Sequence, residues 1–536
     1  MKQNSEQYQE AKKLIEDGLS ILGFELGSTR IKATLITPGG TLLSSGAHDW
    51  ENRLINGIWS YSLDDIWTGV AACFEELIKN IYLEYNVRLT RFAAGGFSAM
   101  MHGYLVFDEG GSLLIPFRTW RNNITKEASK ELTELFAYPI SQRWSIAHLY
   151  QSILNGEEHV SRISYITTLA GYVHWKLTNS KVIGIGDASG MFPVDTDLQD
   201  FDSVMLEKFD RKVKKYGFGW KLRDILPTVT TVGETAGKIT PEGARMLYPH
   251  GTLKSGIPLC SPEGDAGAGM AATNSVRERT GNVSAGTSVF SMLVLEKKLK
   301  KVHPEIDLVV TPDGKLVGMA HSNNCSSDYD AWINLFSQAG KALGITAPKS
   351  EVYDKLLGLA LQADADAGGL LSYGYVSGEH VTGFSEGRPL FVRKPDSAFT
   401  LPNFMRSLLF TSLCALRTGL NILFEEGVTV DEIRGHGGFF KTKGVGQRIM
   451  AAATNIPVSL LDTAGEGGSW GMALLAAYMI RSERSEKLPE FLDAVFAESI
   501  SSAVQPQPED VEGFNTFFER YHKGLPIEAL AVRTLR

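Results

Sequence analysis

The chain has 536 residues and a formal net charge of −8. It is too long for a single hydrophobic core, and it lacks the basic footprint of a nucleic-acid or membrane-surface binder. Hydrophobic residues at 43% and charged residues at 21% describe an ordinary globular protein, and no stretch approaches the roughly 20 uninterrupted apolar residues that span a bilayer.

The four cysteines, Cys73, Cys260, Cys325 and Cys414, are widely spaced, show no metal-ligand pattern and read as free thiols. With a polar N-terminal stretch that lacks a signal-type apolar segment, they make the cytoplasm the expected compartment.

In chain order, residues 1–20 read as a short charged helix, followed by strands over 21–46. Residues 64–85 carry Ile66, Val70, Phe74, Leu77 and Ile81 at helical spacing. Short strands over 92–97 and 104–107 flank the turn Met100-Met101-His102-Gly103. Residues 125–180 are largely helical and 185–235 are turn-rich. A buried strand over 256–260 then enters the loop Ser261-Pro262-Glu263-Gly264-Asp265, with a small-residue helix over 266–273. A domain boundary is expected near residue 275, giving domains 1–274 and 275–536.

The second half predicts a hairpin over 281–293 and helices over 328–342, 402–424, 446–454 and 468–481. Its strands fall over 433–438 and 458–461. Alternating strands and helices in each half predict layered α/β domains.

Two segments share one design. Strand residues Ile21 to Leu26 lead into Gly27-Ser28-Thr29 and out through Ile31 to Ile36; Gly281 to Ala285 lead into Gly286-Thr287-Ser288 and out through Val289 to Leu293. Each turn offers a permissive glycine, two hydroxyls and a run of amide donors suited to phosphate. Glu25, two residues before Gly27, is placed to hold a divalent cation beside that phosphate. One copy in each half suggests an internal duplication around a nucleotide, an arrangement that resembles actin, hexokinase and the 70-kDa chaperones. Asp265 begins a helix, where amide dipoles favour the ionised carboxylate. It suits a general base for a sugar hydroxyl, and the same position also suits a simple helix cap.

The chain resembles the FGGY family of carbohydrate kinases from about residue 20 onward. The resemblance rests on Leu26-Gly27-Ser28-Thr29, Met101-His102-Gly103, Trp120-Arg121-Asn122, Gly264-Asp265, Gly286-Thr287-Ser288, Ser377-Gly378-Glu379, Gly437-Gly438 and Glu466-Gly467-Gly468. It implies two actin-like, ribonuclease H-like domains with a cleft between them. The N-terminal half would bind sugar and the C-terminal half ATP, with Mg²⁺ and γ-phosphoryl transfer to a sugar hydroxyl, most like a ketopentose kinase.

By the same resemblance Asp265 matches the catalytic aspartate and also contacts substrate. Met101, His102, Trp120 and Asn122 match sugar-contacting positions. Gly27, Ser28, Thr29, Gly286 and Thr287 match the phosphate hairpins, and Gly437 and Gly438 the glycines beneath the adenosine. Glu25 stands where the family usually has Asp, as the expected Mg²⁺ position. Asn122 replaces a usual Asp, and the lysine-bearing first signature is poorly matched near Arg143-Trp144.

The expected partner is a small-molecule sugar, with no nucleic acid or membrane; a homodimer is one open assembly state. Ribulose or another sugar or polyol, an actin- or chaperone-like ATPase and an inactive homologue stay as alternatives. A Walker loop is disfavoured, because Gly233 to Lys238 is one residue too short and Ile239 follows. A dinucleotide fingerprint is disfavoured, because Gly184-Ile185-Gly186 lacks its third glycine.

Overall fold

Near-continuous burial along Ile21–Leu26, with Ile21, Leu22, Phe24 and Leu26 fully enclosed, marks a strand covered on both faces at the centre of the first folding unit. The computed structural model describes residues 5–461, 467–481, 485–497 and 503–535. It divides into two compact units: Met1–Val276 with Leu308–Leu316 and Glu466–Glu498, and Arg277–Asp307 with Val317–Gly465 and Ser499–Arg536.

The expected C-terminal domain, 275–536, is therefore shared between the units. Segment 308–316 joins the first through hydrogen bonds from Val310 N to Ser189 Oγ (3.1 Å) and from Tyr138 Oη to the Leu308 carbonyl (3.4 Å). The helix Gly467–Ile480 joins it by packing on the central sheet. A Cβ on Gly23 would lie 1.9 Å from the Ser469 carbonyl, so only glycine lets strand and helix approach this closely. These contacts join residues more than 100 positions apart, which local periodicity does not report.

The sheet of the first unit runs Gly237–Lys238, Pro258–Leu259, Ala94–Ala99, Ile21–Leu26, Arg30–Ile36, Leu42–Asp49, and Glu263–Gly264 also pairs with Ala94–Ala99. Ile21–Leu26 and Glu263–Gly264 both run parallel to Ala94–Ala99, with Leu26 opposite Ala99 and Gly264 opposite Ala99. The three strands thus end level, and the residues that follow them, Gly27, Met100 and Asp265, leave from one carboxyl edge. That edge is where open α/β sheets characteristically present ligand-binding groups. Helix Leu63–Tyr85 is capped by Ser62, whose hydroxyl accepts from Asp65 N, and it buries Ile66, Val70, Cys73, Phe74, Leu77 and Ile81.

In the second unit the central strands run in the order Leu316–Ser322, Val289–Val294, Thr280–Ala285, Glu432–His436, Val458–Leu460. Thr280–Ala285 pairs antiparallel with Val289–Val294 and parallel with Glu432–His436, placing Ser284 opposite His436. Helix Leu401–Glu425 is long and apolar enough, by length and composition, to cross a membrane, but 72% of its apolar window is buried within the fold. Its Arg406 bonds Asp510 of the C-terminal helix Pro508–Thr534 (3.3 Å), and that carboxylate also takes Arg448 (2.5 Å). Such a shared, enclosed carboxylate tethers three helices.

Candidate active site

At the carboxyl edge of the first sheet, Asp265 Oδ1 accepts hydrogen bonds from Met101 N and Ala266 N, both 3.0 Å. Gly264 occupies the N-cap position of helix Asp265–Ala272. From the first helical position the carboxylate thus bonds both the first-turn amide of its own helix and, across the edge, the Met101 turn. Burial pushes its proton affinity up, opposed by the Met101 and Ala266 amides and by the charge of Arg143. A carboxylate raised this way is a stronger base than an exposed one and still held in place.

His102 sits beside it in a left-handed conformation (φ 68°). Its Nδ1 donates to the Gly190 carbonyl (3.1 Å), so Nε2 is the acceptor nitrogen of the neutral ring, and the ring stacks on Trp144 at 6.4 Å. The Met101 side chain packs over Gly264, where a Cβ would fall 2.2 Å from its Cγ. Arg143 and Trp144, marked in the sequence only as a signature mismatch, thus flank Asp265 and His102.

The turn Gly27–Thr29 is wrapped by aromatic donors. Trp50 Nε1 donates to the Gly27 carbonyl (2.7 Å), Tyr61 Oη to the Ser28 carbonyl (2.5 Å) and Trp120 Nε1 to Ser28 Oγ (3.1 Å). Trp50 N takes the Thr29 carbonyl (3.1 Å). Burial pushes the Tyr61 hydroxyl to about 12, so it stays a donor across the physiological range. Every carbonyl of the turn is satisfied, while among the described residues no protein acceptor takes the N–H of Ser28 or Thr29. Donors without acceptors suit an anion.

Glu25 lies differently from its expected role. Its carboxylate accepts the amides of Ser469 and Gly468 at the start of helix Gly467–Ile480, beside Lys32, and burial followed by the charge of Asp265 pushes its proton affinity up. Among the described residues no group of three or more His, Cys, Asp or Glu could hold a metal ion. With its carboxylate already accepting these two amides, Glu25 fits a protein-held cation poorly. Glu466 of the third glycine motif lies outside the described residues.

Asn122 is buried, and both ends of its carboxamide are engaged: Oδ1 accepts Trp59 N (2.8 Å), while Nδ2 donates to the Trp59 carbonyl (2.9 Å) and the Thr119 carbonyl (3.0 Å). It clamps strand Ile58–Ser60, whereas the resemblance had placed it among the sugar-contacting positions. Asn122→Asp would face a carboxylate toward two carbonyls. The expected result is a loss of about 3 kcal/mol in stability with the ranking of sugars unchanged, checked by denaturant unfolding and a sugar panel.

Behind Asp265 lie two carboxyls the sequence did not single out. Asp187 accepts Thr168 Oγ1 at Oδ2 (2.6 Å), while its buried Oδ1 has no hydrogen-bond partner among the described residues. Glu263 Oε1 accepts Gly264 N (3.1 Å). A Cβ on Gly186 would lie 2.3 Å from Glu263 Oε1, and one on Gly184 would lie 2.8 Å from Oε2, which explains the glycine pair that mimics a dinucleotide motif. Burial, with the neighbouring carboxyls, raises Asp187 to about 7 and Glu263 to about 8.

An acid whose folded value is raised stabilises the fold below its unfolded value, and that contribution is lost as pH climbs through the folded one. Stability should therefore fall between about pH 4 and 7 by an amount on the order of 3 kcal/mol attributable to Asp187, and Asp187→Asn should flatten that slope. Unfolding free energies at pH 5 and pH 8 for both proteins check it.

In the second unit, Gly286–Ser288 repeats the first turn with different means. Cys325 N takes the Thr287 carbonyl (2.9 Å) and Ser326 N the Gly286 carbonyl (3.0 Å). Gly437 (φ 102°, ψ −177°) is pressed on this hairpin, since its Cβ would lie 2.4 Å from the Ala285 carbonyl. A Cβ on Gly286 or Gly438 would meet nothing within 4 Å. Gly437 is thus glycine for the protein's own backbone, and Gly438 borders open space. These residues fit a nucleotide: open glycines and a turn whose carbonyls are already satisfied.

Family models match both parts of the chain: the FGGY family of carbohydrate kinases, N-terminal domain, over residues 20–271, and its C-terminal domain over 281–480. The chain belongs to the FGGY family of carbohydrate kinases. Kinases of this family use ATP, and the family membership, two-domain fold and phosphotransferase class expected from the sequence are borne out.

This FGGY kinase is 23% identical over 445 residues to a xylulose kinase of Haemophilus influenzae, covering 80% of this chain and 83% of that one. It is 21% identical over 468 residues to one of Staphylococcus epidermidis, covering 85% and 87%. Among solved structures it shares the fold of a Brucella ovis xylulose kinase (TM-score 0.76, 18% identity, 96% and 100% coverage). A gluconate kinase of Lactobacillus acidophilus superposes equally well (TM-score 0.76, 17% identity, 94% and 97% coverage).

Proposed function

We propose that this FGGY kinase transfers the γ-phosphoryl group of ATP to a hydroxyl of a ketopentose such as xylulose, with Asp265 as general base. The observation that carries the reading is the Asp265 carboxylate, held by the Met101 amide beside His102 and level with the Gly27–Thr29 turn. Asp265 accepts the proton of the attacking hydroxyl, which makes the oxygen nucleophilic as it approaches phosphorus. His102 Nε2 accepts from a second sugar hydroxyl, and the Trp120 ring offers a face to the sugar's C–H surface.

In the first unit the Ser28 and Thr29 amides suit a phosphate, and in the second the Gly286–Thr287 turn with Gly438 suits a nucleotide. Mg²⁺ bound with the nucleotide would supply neutralisation of phosphate charge; no step is assigned to the ion or to Glu25. Xylulose is favoured by the names of the curated relatives, because the shared fold extends to a gluconate kinase and so does not choose the sugar.

The test is ADP release with the purified full chain across xylulose, ribulose, other ketoses, gluconate and glycerol. A ketopentose should give the highest kcat/KM. A best substrate among the polyols or acids would overturn the sugar assignment, and ADP release independent of any acceptor would overturn the kinase reading.

A further inference from the structure

The aromatic belt around Gly27–Thr29 goes beyond the roles assigned so far. Its three side chains come from separate segments: Trp50 after strand Leu42–Asp49, Tyr61 after strand Ile58–Ser60, and Trp120 from the loop before helix Lys126–Phe136. Trp50 and Tyr61 stack at 4.2 Å, and both are buried. All three present an N–H or O–H to acceptors of one turn. A serine hydroxyl has one proton and two lone pairs. With the indole N–H of Trp120 donating to one lone pair, and no protein acceptor for the hydroxyl proton among the described residues, that proton is directed to whatever anion meets the turn.

We propose that Trp50, Tyr61 and Trp120 are positioning residues that fix the polarity of the phosphate turn, and that Trp120 sets the Ser28 hydroxyl as a donor to the nucleotide's phosphate. Trp120 then serves both substrates, its ring facing sugar and its N–H ordering the phosphate donor. The inference rests on the proposed function, since it needs the turn to meet phosphate.

The experiment is a double-mutant cycle on ATP affinity, measured by titration calorimetry on the full chain without sugar, with Trp120→Phe, Ser28→Ala and the pair. Each single change should weaken ATP binding about ten-fold, the scale of a hydrogen bond to a charged group. The double variant should be no weaker than Ser28→Ala, because both act through one hydroxyl. Replacing Trp120 by its benzothiophene analogue removes the N–H with the ring shape kept, and it should reproduce Trp120→Phe if that variant folds poorly.

Losses that multiply would overturn the inference, as would ATP affinity unmoved while sugar affinity falls. Because ATP binding is read without sugar, the two readings fail separately. No acceptor-dependent phosphorylation in the wild-type chain contradicts the proposed function, whereas multiplying losses in a chain that phosphorylates sugar contradict this inference alone.

Discussion

Asp265→Asn is expected to lower kcat by roughly 10²–10⁴-fold while ATP affinity stays within about two-fold of wild type. The structure separates fold from chemistry at this position. Asp265 Oδ1 accepts the Met101 and Ala266 amides, and an asparagine carbonyl oxygen accepts both in the same way. What is lost is the charge and the ability to take a proton. The helix keeps its start because Gly264, not Asp265, occupies the cap.

The wild-type pH profile carries a second signature. Activity should fall as pH drops through the Asp265 value, and burial places that limb above the ordinary aspartate range. Steady-state kinetics and calorimetric ATP titration on both proteins check the expectation. Turnover within a few-fold of wild type would remove Asp265 from the chemistry.

The glycine pair Gly437-Gly438 should divide into a structural and a ligand-facing member. Gly437 has backbone angles that are almost exclusive to glycine, and an added Cβ would strike the Ala285 carbonyl at 2.4 Å. Gly437→Ala is therefore expected to cost about 3 kcal/mol or more of stability. A Cβ added at Gly438 meets no protein atom within 4 Å, which leaves room for the variant Gly438→Val. It should leave the unfolding midpoint nearly unchanged and raise the Michaelis constant for ATP at least about ten-fold, by filling space the nucleotide needs. Thermal unfolding and ATP saturation curves for the two variants distinguish the roles. Equal destabilisation by both would mean that Gly438 serves the fold alone.

The two glycine turns, here proposed to meet phosphate, were legible as hairpins because each is a local signal: a glycine, two hydroxyls and flanking strand patterns within about fifteen residues. The strands and helices around them followed from periodicity for the same reason. Asn122 was not legible. A carboxamide that clamps the Trp59 backbone is indistinguishable in sequence from one that reads a sugar, because the deciding partner lies 63 positions earlier.

Asp187 and Glu263 escaped notice because their meeting depends on Glu263–Gly264 pairing with Ala94–Ala99, a register the sequence does not print. Glu25 was read by analogy with a shorter carboxylate, and its contact with Gly468 and Ser469 lies more than 400 positions away. The same long-range packing draws 308–316 and helix Gly467–Ile480 into the first unit. Trp50 and Tyr61 carried no motif, although Trp50 follows the hairpin closely enough that a donor for the Gly27 carbonyl could have been sought there.

The central claim is phosphoryl transfer to a sugar with Asp265 taking the proton, and ³¹P NMR of one reaction tests it most directly. The full chain is incubated with ATP, Mg²⁺ and xylulose, with the Asp265→Asn protein run in parallel. Loss of the ATP γ-signal should be matched one for one by ADP and a phosphate-ester resonance, and the variant should form almost no ester over the same period. ATP consumed to inorganic phosphate without an ester, or equal ester formation by the variant, would contradict the account.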